Sequence, residues 1–424
     1  MAAEDAAGVT AARAAVDEAH RREWATVLAA TMRLTRDLDL AEECAQDAYA
    51  AALEHWPTDG VPDNPAAWLT TAAKRRALDS LRRERTLRTK LPLLVEPEEA
   101  TDEMAIEDML TPKDSQARLP DERLRLIFLC CHPALSQDAQ LGLTLRLVCG
   151  LTTADIARLL LVSESTMAAR ITRAKKKITL ARIPFRVPRE AELPDRLRAV
   201  LGVINLIFTS GHTAPSGPSL IRNDLVDNAL RLARMLRALM PDEPEVRGLL
   251  ALILATDARR ATRVDPDGQL LRLEDQDRSL WDAAALAEAD ELIMDCLRGG
   301  RIGRFVLQAA IAALYAEAPS YPETDWAQIV ILYDRLLEVW PSPVVALNRT
   351  GAVSMSEGPD VALLQVEDLE RAGGLERYAY LPAVKADLLR RLGRGAEATA
   401  AYRRALELTA NEAERTYLHR QLAE

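Results

Sequence analysis

Between residues 151 and 178, LTTADIARLLLVSESTMAARITRAKKKI, hydroxyl, guanidinium and ammonium side chains recur at spacings suited to a nucleic acid. Thr153 can cap a first helix that turns Ile156, Ala157 and Leu160 inward, and Ser163 can cap a second after a short turn. In that second helix Met167, Ile171, Ala174 and Ile178 form a buried seam, which leaves Thr166, Arg170, Arg173 and Lys177 on one outward face. A major groove is read by such a face, because a guanidinium pairs bidentately with a guanine edge while neighbouring cations hold phosphates. Leu161 stands where glycine often makes the turn, and a solvated basic helix is the alternative reading.

A second set lies nearer the N-terminus. Over residues 39–56 the apolar set Ala41, Cys44, Ala45, Ala48, Tyr49, Ala52, Leu53 and Trp56 follows a 3.6-residue period, and Glu42, Glu43, Gln46, Asp47 and Glu54 occupy the other face. Residues 57–65, PTDGVPDNP, read as a loop. The helix that follows sets Arg75 with Arg82 and Arg76 with Arg83, seven apart and so on one face.

Other constellations carry less. Cys130, Cys131 and His132 are adjacent, a spacing that cannot close a tetrahedral zinc site alone, and they read as buried structural residues. Asp265 and Asp267 before Gly268 lack the further acids of a calcium loop. Neither a Walker glycine loop nor HExxH nor GxSxG occurs, so the sequence offers no catalytic residue, metal or cofactor site. His212 reads as a loop histidine, either satisfied locally or touching a ligand. LEDQDRSLWD, residues 273–282, with Arg259 and Arg260 upstream, reads as salt-bridged surface by default and as a cavity lining otherwise.

The elements that must position these residues are helical. Hydrophobic residues make up 49% of the 424 but aromatics only 4%, an Ala- and Leu-rich composition that favours helices over a sandwich or barrel. Five cysteines without paired spacing exclude a disulfide framework, and neither a signal peptide nor a membrane span is visible, which reads as a cytoplasmic protein without a membrane partner. The net charge of −10 hides a regional pattern: residues 68–90 carry net +6, residues 158–189 net +8, residues 91–115 net −7 and residues 191–424 net −8. Two cationic islands separated by an acidic stretch and followed by an acidic half fit a two-handed nucleic-acid binder with an appended module. Near the C-terminus Gly351 and Ala386 are 35 apart, as are Gly358 and Gly393, and Ala398, Tyr402 and Ala405 follow at helical spacing. That repeat resembles the tetratricopeptide (TPR) pattern, although Ala410 and Pro382 depart from it, and generic helical hairpins fit as well.

The ordered motifs EECAQDAYAAALEHW, PAAWLTTAAKRRALDSLRRERT, an acidic linker, LPDERLRLIFLCC and the helix-turn-helix resemble bacterial RNA polymerase sigma factors of the extracytoplasmic-function (ECF, sigma-70) type, over residues 15–183. The remainder resembles the C-terminal extension of a subgroup that ends in TPRs. The resemblance implies core-polymerase binding, at the β′ clamp and β flap, with Glu42, Glu43, Gln46 and Asp47 on the clamp-binding helix. It implies contact with promoter DNA at the −10 element through Asp63, Asn64, Lys74, Arg75, Arg76, Arg82 and Arg83. At the −35 element it implies Thr166, Arg170, Arg173, Lys175, Lys176 and Lys177. Ala168 stands where relatives often carry a base. Trp68 reads as core rather than as a stacking platform.

The expected protein is all-α: a first sigma domain over 10–90, an acidic linker over 91–118, a helix-turn-helix domain over 119–184, a helical extension over 185–320 and TPR-like repeats over 321–424. Its function would be promoter-specific transcription initiation without catalysis, the repeats regulating it or docking a protein or peptide. The alternatives are a TPR-type peptide- or ligand-binding scaffold and a dimeric helix-turn-helix repressor independent of polymerase.

Overall fold

Alanine and leucine dominate the apolar content and no stretch alternates as a strand would, and the chain folds accordingly into helices. The computed structural model describes residues 2–90 and 115–423, apart from Leu161, Pro215, Asp267 and Arg301. Among the described residues there are 18 α-helices and one pair of two-residue strands. Two units divide between Val203 and Ile204. Most of the stretch expected as an acidic linker lies outside the described residues, and so does Leu161.

In the first unit, α1 (Ala2–Thr35) packs against both α2 (Leu38–Asp59) and α3 (Pro65–Lys90). Asp37 caps α2, its carboxylate accepting from the Asp39 and Leu40 N–H groups at 2.8 and 2.9 Å. The helix runs three residues further than the sequence reading, through Pro57. In the last turn a proline removes only one backbone bond, and the helix stops at Gly60, whose φ of 84° suits a residue without Cβ. The expected loop over 57–65 is shortened accordingly. Val27, Leu28, Ala45 and Leu69 are fully buried between these helices.

The same unit continues with α4 (Ser115–Cys130), α5 (Gln137–Leu143) passing into a π-helical turn (Thr144–Val148), α6 (Thr153–Leu159) and α7 (Glu164–Leu180). α4 and the π-turn both lie against α1. At Gly150, φ 74°, a Cβ would sit 2.9 Å from the His20 ring and 3.0 Å from Trp24, so the turn before α6 approaches α1 as only glycine allows. Cys130 and Cys131 are buried as expected, and burial pushes both thiols up, that of Cys131 to about 11. The division between the units falls within α8 (Leu193–His212).

In the second unit, α9 (Asn223–Leu239), α10 (Pro244–Asp257), α11 (Ala283–Arg298), α12 (Arg304–Glu317), α13 (Trp326–Val339), α14 (Pro343–Ser356), α15 (Pro359–Ala372), α16 (Tyr380–Arg391), α17 (Gly395–Leu408) and α18 (Glu412–Ala423) each pack on the next. Gly358 and Gly393, at φ 110° and 74°, turn the chain between the helices of two successive hairpins, which accounts for their 35-residue spacing. Gly351 does not serve close packing: a Cβ there would meet nothing within 4 Å, whereas Ala386 is fully buried. A parallel pairing of β1 (Ser216–Gly217) with β2 (Ala410–Asn411) joins the start of this unit to its end.

Candidate nucleic-acid interface

The α7 helix begins where the sequence predicts. The Ser163 hydroxyl accepts the Thr166 N–H at 3.2 Å, and Met167, Ile171, Ala174 and Ile178 are buried. Opposite that seam Thr166, Arg173, Lys176 and Lys177 are exposed and Arg170 is half-buried, its guanidinium 3.4 Å from Asp138. The preceding helix is capped one residue earlier than expected: Thr152, not Thr153, accepts the Asp155 N–H and donates its hydroxyl to the Asp155 carboxylate at 2.6 Å. Either threonine satisfies the local pattern, and the capping-box partner three residues on decides for Thr152.

Lys175 departs from the expected role. Its ammonium donates to Asp39 at 2.6 Å and Glu42 at 2.9 Å, and its side chain is only 15% exposed. Burial alone would lower its pKa, but the hydrogen bonds and charges of the two carboxylates outweigh this and raise it.

Glu42 likewise sits away from the exposed face that its spacing implies. The helical pattern puts it on the polar face with Glu43, Gln46 and Asp47, yet Glu42 is 5% exposed and ion-paired with both Arg146 and Lys175. The other three remain exposed. Its burial arises from residues more than a hundred positions away, which no local period encodes. A further pair of this kind was not expected: Arg33 in α1 meets the buried carboxylate of Glu122 in α4 at 3.0 Å. Burial pushes the Glu122 pKa up against the pull of Arg33, Arg125 and Lys74. Neither pair leaves a local sequence signal, because each forms only once helices distant in sequence are brought together.

On α3, Arg75, Arg76, Arg82 and Arg83 are exposed along one side as their spacing requires, and Arg76 lies 3.9 Å from Asp47. Lys74 is half-buried, and burial together with the Arg33 charge lowers its pKa. Asp63 and Asn64 are exposed ahead of the helix. The Asn64 side-chain oxygen accepts the Ala67 N–H at 3.0 Å, so in this arrangement it caps α3. Trp68 is half-buried with its ring edge-on to the buried Trp56, 5.7 Å between centroids.

In the second unit His212 is the last residue of α8 rather than a loop residue, buried against Phe208. The LEDQDRSLWD segment follows the less expected of its two readings: Leu273, Glu274 and Trp281 line a cavity together with Arg259. Arg260 follows the default, pairing with Asp257 and Asp227 at 2.6 and 2.9 Å. Asp267 lies outside the described residues.

Residues 19–86 match the family Sigma-70 region 2, and residues 125–178 match Sigma-70, region 4, which ends on the helix-turn-helix of α6 and α7. The chain belongs to the sigma-70 family: it is a transcription initiation factor that binds core RNA polymerase and promoter DNA, and not an enzyme. Residues 196–297 match a family of unknown function, DUF6596. Over 397 residues the chain is 43% identical to a protein of Rhizobium meliloti (strain 1021) named Uncharacterized protein R00370, covering 93% of this chain and 92% of that one. Among the described residues no helix is long and apolar enough to cross a membrane.

Proposed function

We propose that this sigma factor is of the ECF type, acts in the cytoplasm, and reads the −35 element through Thr166, Arg170 and Arg173 on α7, with Lys176 and Lys177 holding the DNA backbone. The observation that carries the reading is the division of α7 into a buried apolar seam and an exposed cationic face within the region 4 match. The exposed arginines of α3 would hold the −10 region, mainly through phosphates. Glu43, Gln46 and Asp47 form the available clamp-binding face of α2.

Glu42 and Lys175 were expected to serve polymerase and DNA respectively, and here they neutralise each other. Binding the clamp through Glu42 would therefore require both Lys175 of α7 and Arg146 of the π-helical turn to release it, which would couple polymerase engagement to exposure of Lys175. The second unit, with a TPR-like succession of hairpins over 321–424, would regulate initiation or dock a partner. In vitro transcription with core polymerase and the upstream region of the gene itself tests the reading. Initiation should require this chain and fall with Arg170→Ala or Arg173→Ala. Binding of the same DNA without core, and no initiation with it, would instead mark a repressor.

A further inference from the structure

Aromatic residues are scarce in this chain, yet five of its 8 tyrosines and two of its 6 tryptophans line one cavity of about 530 Å³ in the second unit. The volume is that of a small-molecule site. Tyr315 and Tyr321 stand edge-on to Trp326, with centroids 5.6 and 5.0 Å away, and build an aromatic wall. The small residues Ala383 and Gly351 line the same space, and a Cβ at Gly351 would meet nothing within 4 Å.

The charges around this space are mostly accounted for. Glu274 pairs with Arg272, Asp387 with Arg390, and Arg391 donates to the hydroxyl and carbonyl of Ser354 at 3.0 Å each. Glu414 accepts from the hydroxyls of Tyr380 and Thr409. Arg259 differs: among the described residues its guanidinium has neither an acid partner nor a hydrogen bond, and burial, with the nearby Arg278 charge, lowers its pKa. Two more donors on the wall, the Tyr402 hydroxyl and the Trp326 indole N–H, are buried without a partner among the described residues. A half-buried cation lining a cavity, with no counter-charge beside it, is placed to receive an anion.

We propose that this cavity binds a small aromatic carboxylate, its ring held among Tyr315, Tyr321 and Trp326 and its carboxylate paired with Arg259. One planar guanidinium matches one carboxylate bidentately. A phosphate dianion would call for a second unpaired cation, whereas the other arginines on the lining, Arg272 and Arg391, already have partners, and an aliphatic chain would not use the aromatic wall. Occupancy involves none of the polymerase- or DNA-contact residues, so its failure leaves the sigma-factor reading untouched.

The test uses the full-length chain with indole-3-acetate and 4-hydroxyphenylacetate, their neutral amides, and hexanoate, followed by calorimetry and by quenching of tryptophan fluorescence. Both aromatic acids should saturate with Kd below about 1 mM, at least about tenfold tighter than their amides and than hexanoate. Arg259→Gln should abolish the preference for acid over amide while leaving amide binding in place. Ala383→Trp, which fills the space without removing a charge, should abolish binding of all probes, and it decides the matter should Arg259→Gln not fold by circular dichroism. No saturable binding to the folded wild-type chain overturns the proposal. So does an acid preference that survives in folded Arg259→Gln, binding that survives in folded Ala383→Trp, or hexanoate binding as well as the aromatic acids. Capture of a peptide carboxyl terminus, with none of the free acids bound, would assign the cavity to a protein partner instead.

Discussion

Arg75, Arg82, Arg83 and Arg173 of the first unit stand on exposed helix faces, whereas Arg263, Arg278 and Arg304 of the second are folded inward. Arg263 donates to the His212 carbonyl and, at 3.0 Å, to the Thr213 hydroxyl. Arg278 donates to the carbonyls of Tyr315 and Ala318 at 2.6 and 2.9 Å and lies 4.7 Å over the Trp281 ring. Arg304 stacks on Trp340. One residue type thus does two different things. Arg75, Arg83 and Arg173 lie on the solvent side of their helices, whereas Arg263, Arg278 and Arg304 satisfy carbonyls and aromatic faces that would otherwise be buried unpaired. The net −8 of residues 191–424 consequently understates how acidic the outside of that unit is, because part of its positive charge is internal.

The contrast breaks most readily at Arg263. Arg263→Met strands the His212 carbonyl and Thr213 hydroxyl, and we expect a loss of about 2–4 kcal/mol of stability in denaturant unfolding. Arg83→Met should stay within about 0.5 kcal/mol of the wild type. Equal losses at the two positions would erase the distinction. Glu42→Gln comes next: it leaves Arg146 and Lys175 facing a neutral amide, and we expect a loss of about 2 kcal/mol, moderated by the partial solvent access of both cations. A double-mutant cycle with Lys175→Met should return a coupling of about 1 kcal/mol, and additivity would mean that the pair is incidental.

Arg170→Ala and Arg173→Ala should leave unfolding unchanged and weaken promoter binding by about 1–3 kcal/mol where the side chain reads a base, with relaxed sequence preference. A phosphate contact would instead weaken all sequences alike and lower the salt slope by about one. The smallest effect concerns His212, whose pKa is held well below the usual histidine value by burial first and then by Arg263, Arg259 and Arg260. The unfolded chain takes up a proton near pH 6.5 that the folded chain refuses. Stability is therefore complete above that pH and declines as pH falls, by up to about 1.4 kcal/mol per unit. His212→Phe should flatten that part of the profile.

What the sequence made legible was local. The α7 seam, the Ser163 cap and the alignment of the α3 arginines follow from helical spacing within a few turns, and the structure has them where the residues imply. The burial of Glu42 and the capture of Lys175 depend on tertiary contact between the α1–α3 bundle and the helices after residue 115, which leaves no periodic trace. Pro57 within α2 misled because a proline in a final turn looks, in sequence, like one in a loop. The cavity was half visible: Arg259 and Trp281 were noted together, but their partners Tyr321 and Ala383 come from hairpins far along the chain.

The short pairing of Ser216–Gly217 with Ala410–Asn411 has a consequence for how the second unit comes apart. Stacked hairpins that touch only their neighbours unfold like a zipper, fraying from whichever end is weakest. Here the side-chain amide of Asn411, fully buried, donates through Nδ2 at 3.0 Å to the backbone carbonyl of Ala214, 197 positions away, and to that of Ser219 at 3.0 Å, while its Oδ1 caps α18 by accepting from the Ala413 and Glu414 N–H groups. The array thereby loses its free end. Closing so long a loop slows folding, since distant segments must meet before the last helix is secured. Once closed, the hairpins should melt as one cooperative block, with amide protons of α18 exchanging as slowly as those of α10.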